Sequence, residues 1–250
     1  MFMIFLRYIA LLTILSAEAL AGDSKSIRVA LYDDVGAAGK GIPRVTEILG
    51  KQNDIKVTRV NGKDIAGGVL KDFDVVVFTG GSGHAEADAV GEKGRDEVRQ
   101  FVRNGGGYVG ICAGAYLACS GFSWGVGVLN AKTVSQKWRR GEGEVQIEAT
   151  PLGKETIGIT EGKRGIRYAN GPIIKPDNRE ELPAYEPLAY FRTEFAENGS
   201  PAGAMVDTPA IVRATCGKGR VITSSPHPEQ TAGMESYVEQ AVRWVARRGE

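Results

Sequence analysis

Two histidines, three cysteines and no Cys-x-x-Cys pair leave this 250-residue chain little with which to build a closed zinc site. It also lacks a surplus of either charge. Thirty-one Lys and Arg against 30 Asp and Glu give a formal net charge of +1, so no global field draws it toward nucleic acid or anionic lipid. Internal repeats, low-complexity tracts and a Pro- or Ser-rich linker are missing too. What is there is a balanced composition, 42% hydrophobic, long enough for one large core. The expected partner is a small-molecule substrate, with no cofactor, metal or nucleic acid, and self-association is left open.

The first 21 residues hold one basic side chain (Arg7), an apolar run from Ile9 to Leu15, and small residues at Ala19 and Ala21. That order reads as a secretory signal peptide cut after Ala21. An uncleaved anchor needs about 20 consecutive apolar residues, and Arg7 and Glu18 interrupt this run. The expectation is an exported protein, periplasmic or secreted, whose residues 22–250 form one domain with no stable membrane insertion. An odd number of cysteines leaves at least one thiol free unless two chains pair; a Cys119–Cys216 bridge would leave Cys112 free.

Ile27 to Tyr32, Ile55 to Val60 and Phe73 to Thr79 read as strands, the last nearly all apolar, as a strand covered on both faces should be. Pro43 opens a helix to Leu49, and Val98, Phe101 and Val102 mark one face of a helix over Arg95 to Arg103. Tyr108 to Cys112 is another buried strand, and the residues after it read as a helix. Alternation of this kind predicts an α/β fold with a parallel sheet and helices on both faces. From about Val128 to Thr208 short alternating segments predict antiparallel strands, inserted or appended. Ile211 to Thr215 and Arg220 to Ser224 flank a hairpin turn, and Met234 to Val245 recur at the spacing of a closing helix.

Gly110-Ile111-Cys112-Ala113-Gly114 places a nucleophile between two glycines where a strand passes into a helix. Such an elbow is backbone-strained and needs small neighbours. The thiolate is the reactive form of cysteine, and a helix N-terminus and an imidazolium both favour it. The alternative is a small buried apolar residue. His227, in Pro226-His227-Pro228-Glu229, decides for the first reading. It follows a strand's C-terminal end, the side on which open α/β sheets bind ligands and on which the elbow must lie. If the prolines hold this segment extended, residues two apart point the same way, and Glu229 can orient His227. Oxyanion donors are offered by the backbone N–H of Ala113 and by the loop Gly80-Gly81-Ser82-Gly83.

These segments, GGSG, GYVGICAGAYLA and SSPHPE in that order, resemble the class I glutamine amidotransferase-like superfamily. CAGAYLA, RRGEGEVQIEAT and RYANGP look most similar to the biotin-protein ligase N-terminal domain and its stand-alone relatives. The resemblance implies a flavodoxin-like, doubly wound, mainly parallel sheet and a Cys112, His227, Glu229 triad. It also suggests Tyr168, Asn170 and Gly171 as cleft wall, with Ser82 and Tyr116 beside the nucleophile as substrate-binding residues. One departure matters. Glutamine amidotransferases usually continue the elbow with His-Gln, where Ala115 and Tyr116 stand here, so glutamine recognition is not expected. The expected activity is a thiol-dependent hydrolase or acyl transferase on a small amide or ester; the alternative is a binding module that keeps the fold without turnover.

Three further signals are set aside. Gly39-Lys40-Gly41 lacks the other residues of a phosphate loop, since Asp34 stands five places before Gly39 and no Ser or Thr follows Lys40. His84, Glu86 and Asp88 are too few for a closed metal site. Trp138, Arg139 and Arg140 read as a solvated turn, with contact to an anionic group as the second reading.

Overall fold

A computed structural model of the chain describes residues 26–160 and 162–246. The expected signal peptide lies outside the described residues. In chain order the elements are β1 (Ile27–Tyr32), α1 (Gly41–Gly50), β2 (Ile55–Val60), α2 (Gly62–Ala66), β3 (Val75–Phe78), α3 (Gly83–Arg103), β4 (Gly107–Ile111) and α4 (Ala113–Ala118). There follow β5 (Ala131–Thr133), β6 (Glu142–Ala149), α5 (Pro151–Ile157), β7 (Lys163–Ala169), β8 (Ile174–Pro176), β9 (Glu186–Phe191), β10 (Pro209–Cys216), β11 (Gly219–Ser224) and α6 (Glu235–Ala246).

Nine strands make one sheet in the order β2-β1-β3-β4-β11-β10-β9-β6-β7, and β5 pairs with β8 apart from it. The first five run parallel, the flavodoxin-like arrangement; from β11 onward every pairing is antiparallel. The antiparallel segment is thus appended to the edge of the parallel sheet. The apolar runs show why helices cover both faces. Val29, Leu31, Val75, Val77, Val109 and Ile111 feed one core under α1 and α6, while Ala30, Tyr32, Val76, Phe78 and Tyr108 feed another under α3 and α4. Successive side chains alternate across a strand, so a strand apolar at every position needs a core on each side.

Helix α3 is longer than its periodicity predicted. It starts at Gly83, with the Ser82 side chain capping the Ala85 amide, and a kink at Gly91 (φ 71°) separates the early turns from the amphipathic part. Cys119 and Cys216 are both free and buried rather than bridged. No helix among the described residues is long and apolar enough to cross a membrane.

Candidate active site around Cys112

The parallel strands β3, β4 and β11 end side by side, and each delivers one part of the site. Cys112 follows β4 with φ 51° and ψ −97°, a conformation that costs a non-glycine residue about 1–3 kcal/mol. Its amide donates to Ser224 O of β11 at 2.8 Å, so the sheet ladder fixes the nucleophile's backbone. The flanking glycines are required. A Cβ on Gly110 would sit 2.5 Å from Gly114 O, and one on Gly114 would sit 2.3 Å from Phe78 O. The turn therefore closes on itself at Gly110 and packs against β3 at Gly114, with no room for a side chain at either glycine.

His227 and Glu229 follow β11, both buried. Here the extended segment expected from the sequence gives way to a turn. Pro228 opens a short 3₁₀ turn, Pro228–Gln230, with His227 as its cap. Proline fits the first position of such a turn because its missing N–H has no acceptor there. The turn still brings Glu229 Oε1 to 2.7 Å from His227 Nδ1. Gln230 Nε2 donates to the same carboxylate oxygen at 2.9 Å. With Nδ1 carrying the proton toward Glu229, Nε2 is left for the thiol. The segment is fastened from two sides: the His227 amide donates to Arg167 O of β7, and Arg44 of α1 donates to Glu229 O.

Burial is the largest influence on His227 and opposes its protonation. Hydrogen bonds to Cys112 and Glu229, with the charge on both, outweigh it and raise the imidazole to about 10. The imidazolium is therefore the favoured form at neutral pH. The other two thiols differ. Burial, with Asp177 nearby, pushes Cys119 up to about 12, and burial also raises Cys216 against the opposing pull of Arg103.

Cys112 opens on a cleft of about 450 Å³. Gly81, Ser82, Tyr116 and Asn170 line it as expected. Gly80 serves differently: a Cβ there would fall 2.8 Å from His227 Cε1, so its bare α-carbon seats the imidazole. Ala113 begins α4, and neither its amide nor that of Gly81 has a backbone acceptor among the described residues. Two expected wall residues lie elsewhere. Tyr168 is fully buried, donates its hydroxyl to Gly171 O at 2.8 Å and packs on Phe191 and Phe195. Gly171 is pressed against Ser225 O, 2.1 Å from where a Cβ would be. Both support the wall from behind; Asn170, at φ 56°, turns the chain between them and holds Gly141 N with its Oδ1.

The sequence reading missed most of the wall. Phe122, Trp124, Thr133, Ser135, Gln136 and Trp138 all line the cleft. The available signal was that two of the chain's three tryptophans stand in loop sequence outside any apolar periodicity. The solvated turn expected at Trp138–Arg140 is also corrected. Trp138 is half exposed on the cleft, whereas Arg140 is buried, donating to Pro201 O at 2.8 Å. His84 pairs with Asp88 at 3.0 Å and Glu86 turns into the core, so these three do not converge. Asp34 accepts from Gly62 N and Val35 N, a loop-fixing role. A larger groove, about 920 Å³, lies at the opposite end of the strands near Gly105 and Lys218, away from Cys112 and His227.

Residues 27–138 match the family described as biotin-protein ligase, N terminal. An uncharacterized protein of Chlamydia muridarum is 29% identical over 102 residues, 39% of this chain, and the chain spans 39% of that relative's length. Among solved structures, PurLQS from Thermotoga maritima superposes with a TM-score of 0.63 at 17% identity, covering 87% of this chain and 98% of that one. A glutamine amidotransferase gives 0.56 at 22%, covering 85% and 98%. A ThuA-like protein from Bacteroides uniformis gives 0.53 at 18%, covering 88% and 91%. The fold is glutamine amidotransferase-like, and residues 27–138 carry the biotin-protein ligase N-terminal sequence pattern.

Proposed function

We propose that this amidotransferase-like protein is an exported thiol-dependent hydrolase or acyl transferase acting on a small amide or ester through Cys112, His227 and Glu229. The observation that carries the reading is the buried Glu229–His227 pair, Oε1 to Nδ1 at 2.7 Å, whose imidazole is raised by Cys112 and Glu229 and which follows β11 beside the strained turn that holds the Cys112 thiol. A structural cysteine needs neither the strain nor the buried acid–imidazole pair. In the proposed reaction Cys112 attacks the carbonyl, and the amides of Ala113 and Gly81 receive the developing oxyanion. The imidazolium of His227 then gives its proton to the leaving amine or alcohol. Glu229 holds the tautomer and balances the charge.

Transfer of ammonia from glutamine is not part of the proposal. Tyr116, at the place of the usual Gln, spends its hydroxyl on Asn170 O at 3.1 Å and is not free to bind an amide donor. Export rests on the first 21 residues alone. The second reading, a binding module without turnover, draws on the versatility of such folds.

Alkylation separates the two. Because burial raises both Cys119 and Cys216, iodoacetamide at neutral pH is expected to label Cys112 selectively. His227→Ala should slow that labelling about tenfold or more. Equal rates in wild type and variant, matching a model thiol, would remove the thiolate–imidazole pair and with it the enzyme reading.

A further inference from the structure

The cleft beside Cys112 differs in chemistry from a site for an amino-acid amide. No Asp, Glu, Lys or Arg is among the described residues that line it. A ligand with free α-ammonium and carboxylate groups would shed water against a wall that offers no carboxylate, ammonium or guanidinium side chain of its own to pair them, a costly transfer. In place of charges stands a continuous aromatic wall. Phe122 and Trp124 stack with centroids 4.5 Å apart and planes inclined by 22°. Tyr116 extends the wall at 6.1 Å from Phe122, and His84 meets Trp124 edge-on at 5.4 Å. Trp138 stands at the mouth with 51% of its surface exposed, an unusual degree of exposure for a tryptophan.

Size and polarity point the same way. About 450 Å³ is far more than an acetyl or formyl group fills and suits a ring with a short linker. The remaining lining groups, such as Ser82, Gln136 and Asn170, are neutral and can give a few hydrogen bonds to an amide or ester without demanding charge.

We propose that this cleft seats an uncharged acyl group bearing a planar aromatic ring, the ring against the Phe122–Trp124 pair, with Trp138 closing over its outer edge. The inference rests on the acyl-transfer reading above and names the substrate class. Cys112 Sγ forms a bond to the acyl carbon while the C–N or C–O bond to the leaving group breaks, and that group takes a proton from His227. Water then cleaves the thioester, releasing the aryl-substituted carboxylic acid and restoring the thiol.

Two measurements test the inference separately from the chemistry. Binding is read by ligand-observed NMR on the full mature chain carrying Cys112→Ala, using 3-phenylpropionamide, 3-cyclohexylpropionamide and glutamine. The phenyl amide should bind about tenfold tighter than glutamine and about threefold tighter than the cyclohexyl amide, as a ring-stacking site requires. Adding Trp124→Leu should erase the preference; adding Trp138→Ala, a change at a half-exposed position that folding tolerates, should reduce it about threefold. Equal binding of all three amides, no phenyl-amide binding at about 10 mM, or a preference that survives both tryptophan substitutions overturns the inference. Adduct formation is read by intact mass after wild-type protein meets the ethyl thioesters of 3-phenylpropionic and acetic acids. A phenyl preference in binding with no adduct on Cys112 leaves the aromatic site standing and removes the acyl-transfer reading. Adducts that form equally from both thioesters do the reverse.

Discussion

The parallel and antiparallel halves of the sheet are built from different kinds of strand and contribute differently to the site. Every residue of β3 and β4 is buried, so these strands lie between two helical layers and their C-terminal ends are held rigidly. Strands β6 and β7 alternate buried with exposed positions, one face in the core and the other toward solvent. The rigid half supplies the elbow, the glycine loop and the histidine turn. The appended half supplies Ala169 and Asn170, the carbonyl that receives the Cys112 thiol at 3.4 Å, and the Arg167 carbonyl that anchors His227. Reactive groups that must meet within tenths of an ångström sit on the doubly covered strands. In the proposed reading, the surface that would select a ligand sits on loops and appended strands that can vary without disturbing them.

The sharpest way to break this division is to strain the elbow. Gly114→Ala drives a methyl group against the Phe78 carbonyl, with β3 buried on both sides and unable to yield. Its expected cost is about 3 kcal/mol or more in urea unfolding. Gly158→Ala, at the C-terminus of α5 in the appended half, meets a positive φ (69°) that Gly114 does not have, but nothing lies within 4 Å of the new Cβ. Its cost should be about 1 kcal/mol. Equal costs would mean that the elbow is no more tightly held than a helix end.

A smaller effect is expected at the buried acid. Glu229→Gln keeps the shape of the turn but removes the charge that favours the imidazolium, so the His227 titration followed by NMR should fall from about 10 by about one unit or more. Alkylation of Cys112 should slow about tenfold with it. The linkage has a definite sign. Because the folded-state value is raised from 6.5 to about 10, the stabilisation is full below pH 6.5 and is lost as pH rises through 10. The stability advantage of wild type over His227→Gln should therefore fade across that window. An advantage that grows with pH would mean that His227 is buried neutral.

How much of this was legible in the sequence follows the same division. Val75 to Phe78 has no polar residue to disturb the strand reading, and Cys112 stands between two glycines at the end of such a run, so position alone located both. His227 and Glu229 were legible as a pair even though the backbone between them turns rather than extends; a short Pro-containing turn and an extended tripeptide can both bring alternate side chains together. The cleft wall was not legible. The Asn170-Gly171 pair announces a turn but not which way the preceding side chain points: Tyr168 lies with Ile166 on the buried face of β7, while the left-handed Asn170 lines the cleft. Residues 121–138, two loops around the short strand β5, have no periodicity, and their role depends on contacts with α3 and α4 that only the folded chain supplies. Tyr168→Phe measures the first of these errors. It removes one buried hydrogen bond and should cost about 1 kcal/mol in unfolding while leaving Cys112 alkylation unchanged.

The smallest stability effect is expected at Trp138, and it carries the comparison to its end. A half-exposed tryptophan outside both core clusters has little apolar surface to lose from the interior, so Trp138→Ala should shift the unfolding free energy by no more than about 0.5 kcal/mol. Its guanidinium neighbour, Arg139, lies over the ring at 4.9 Å, but such exposed contacts contribute little. A residue that the fold does not need, at the mouth of a cleft that the fold does need, is what a selecting surface should contain. If Trp138→Ala instead unfolds the chain by several kcal/mol, the loop is part of the scaffold, and the separation between a rigid reactive half and a variable selecting half fails at the place where it is most exposed to test.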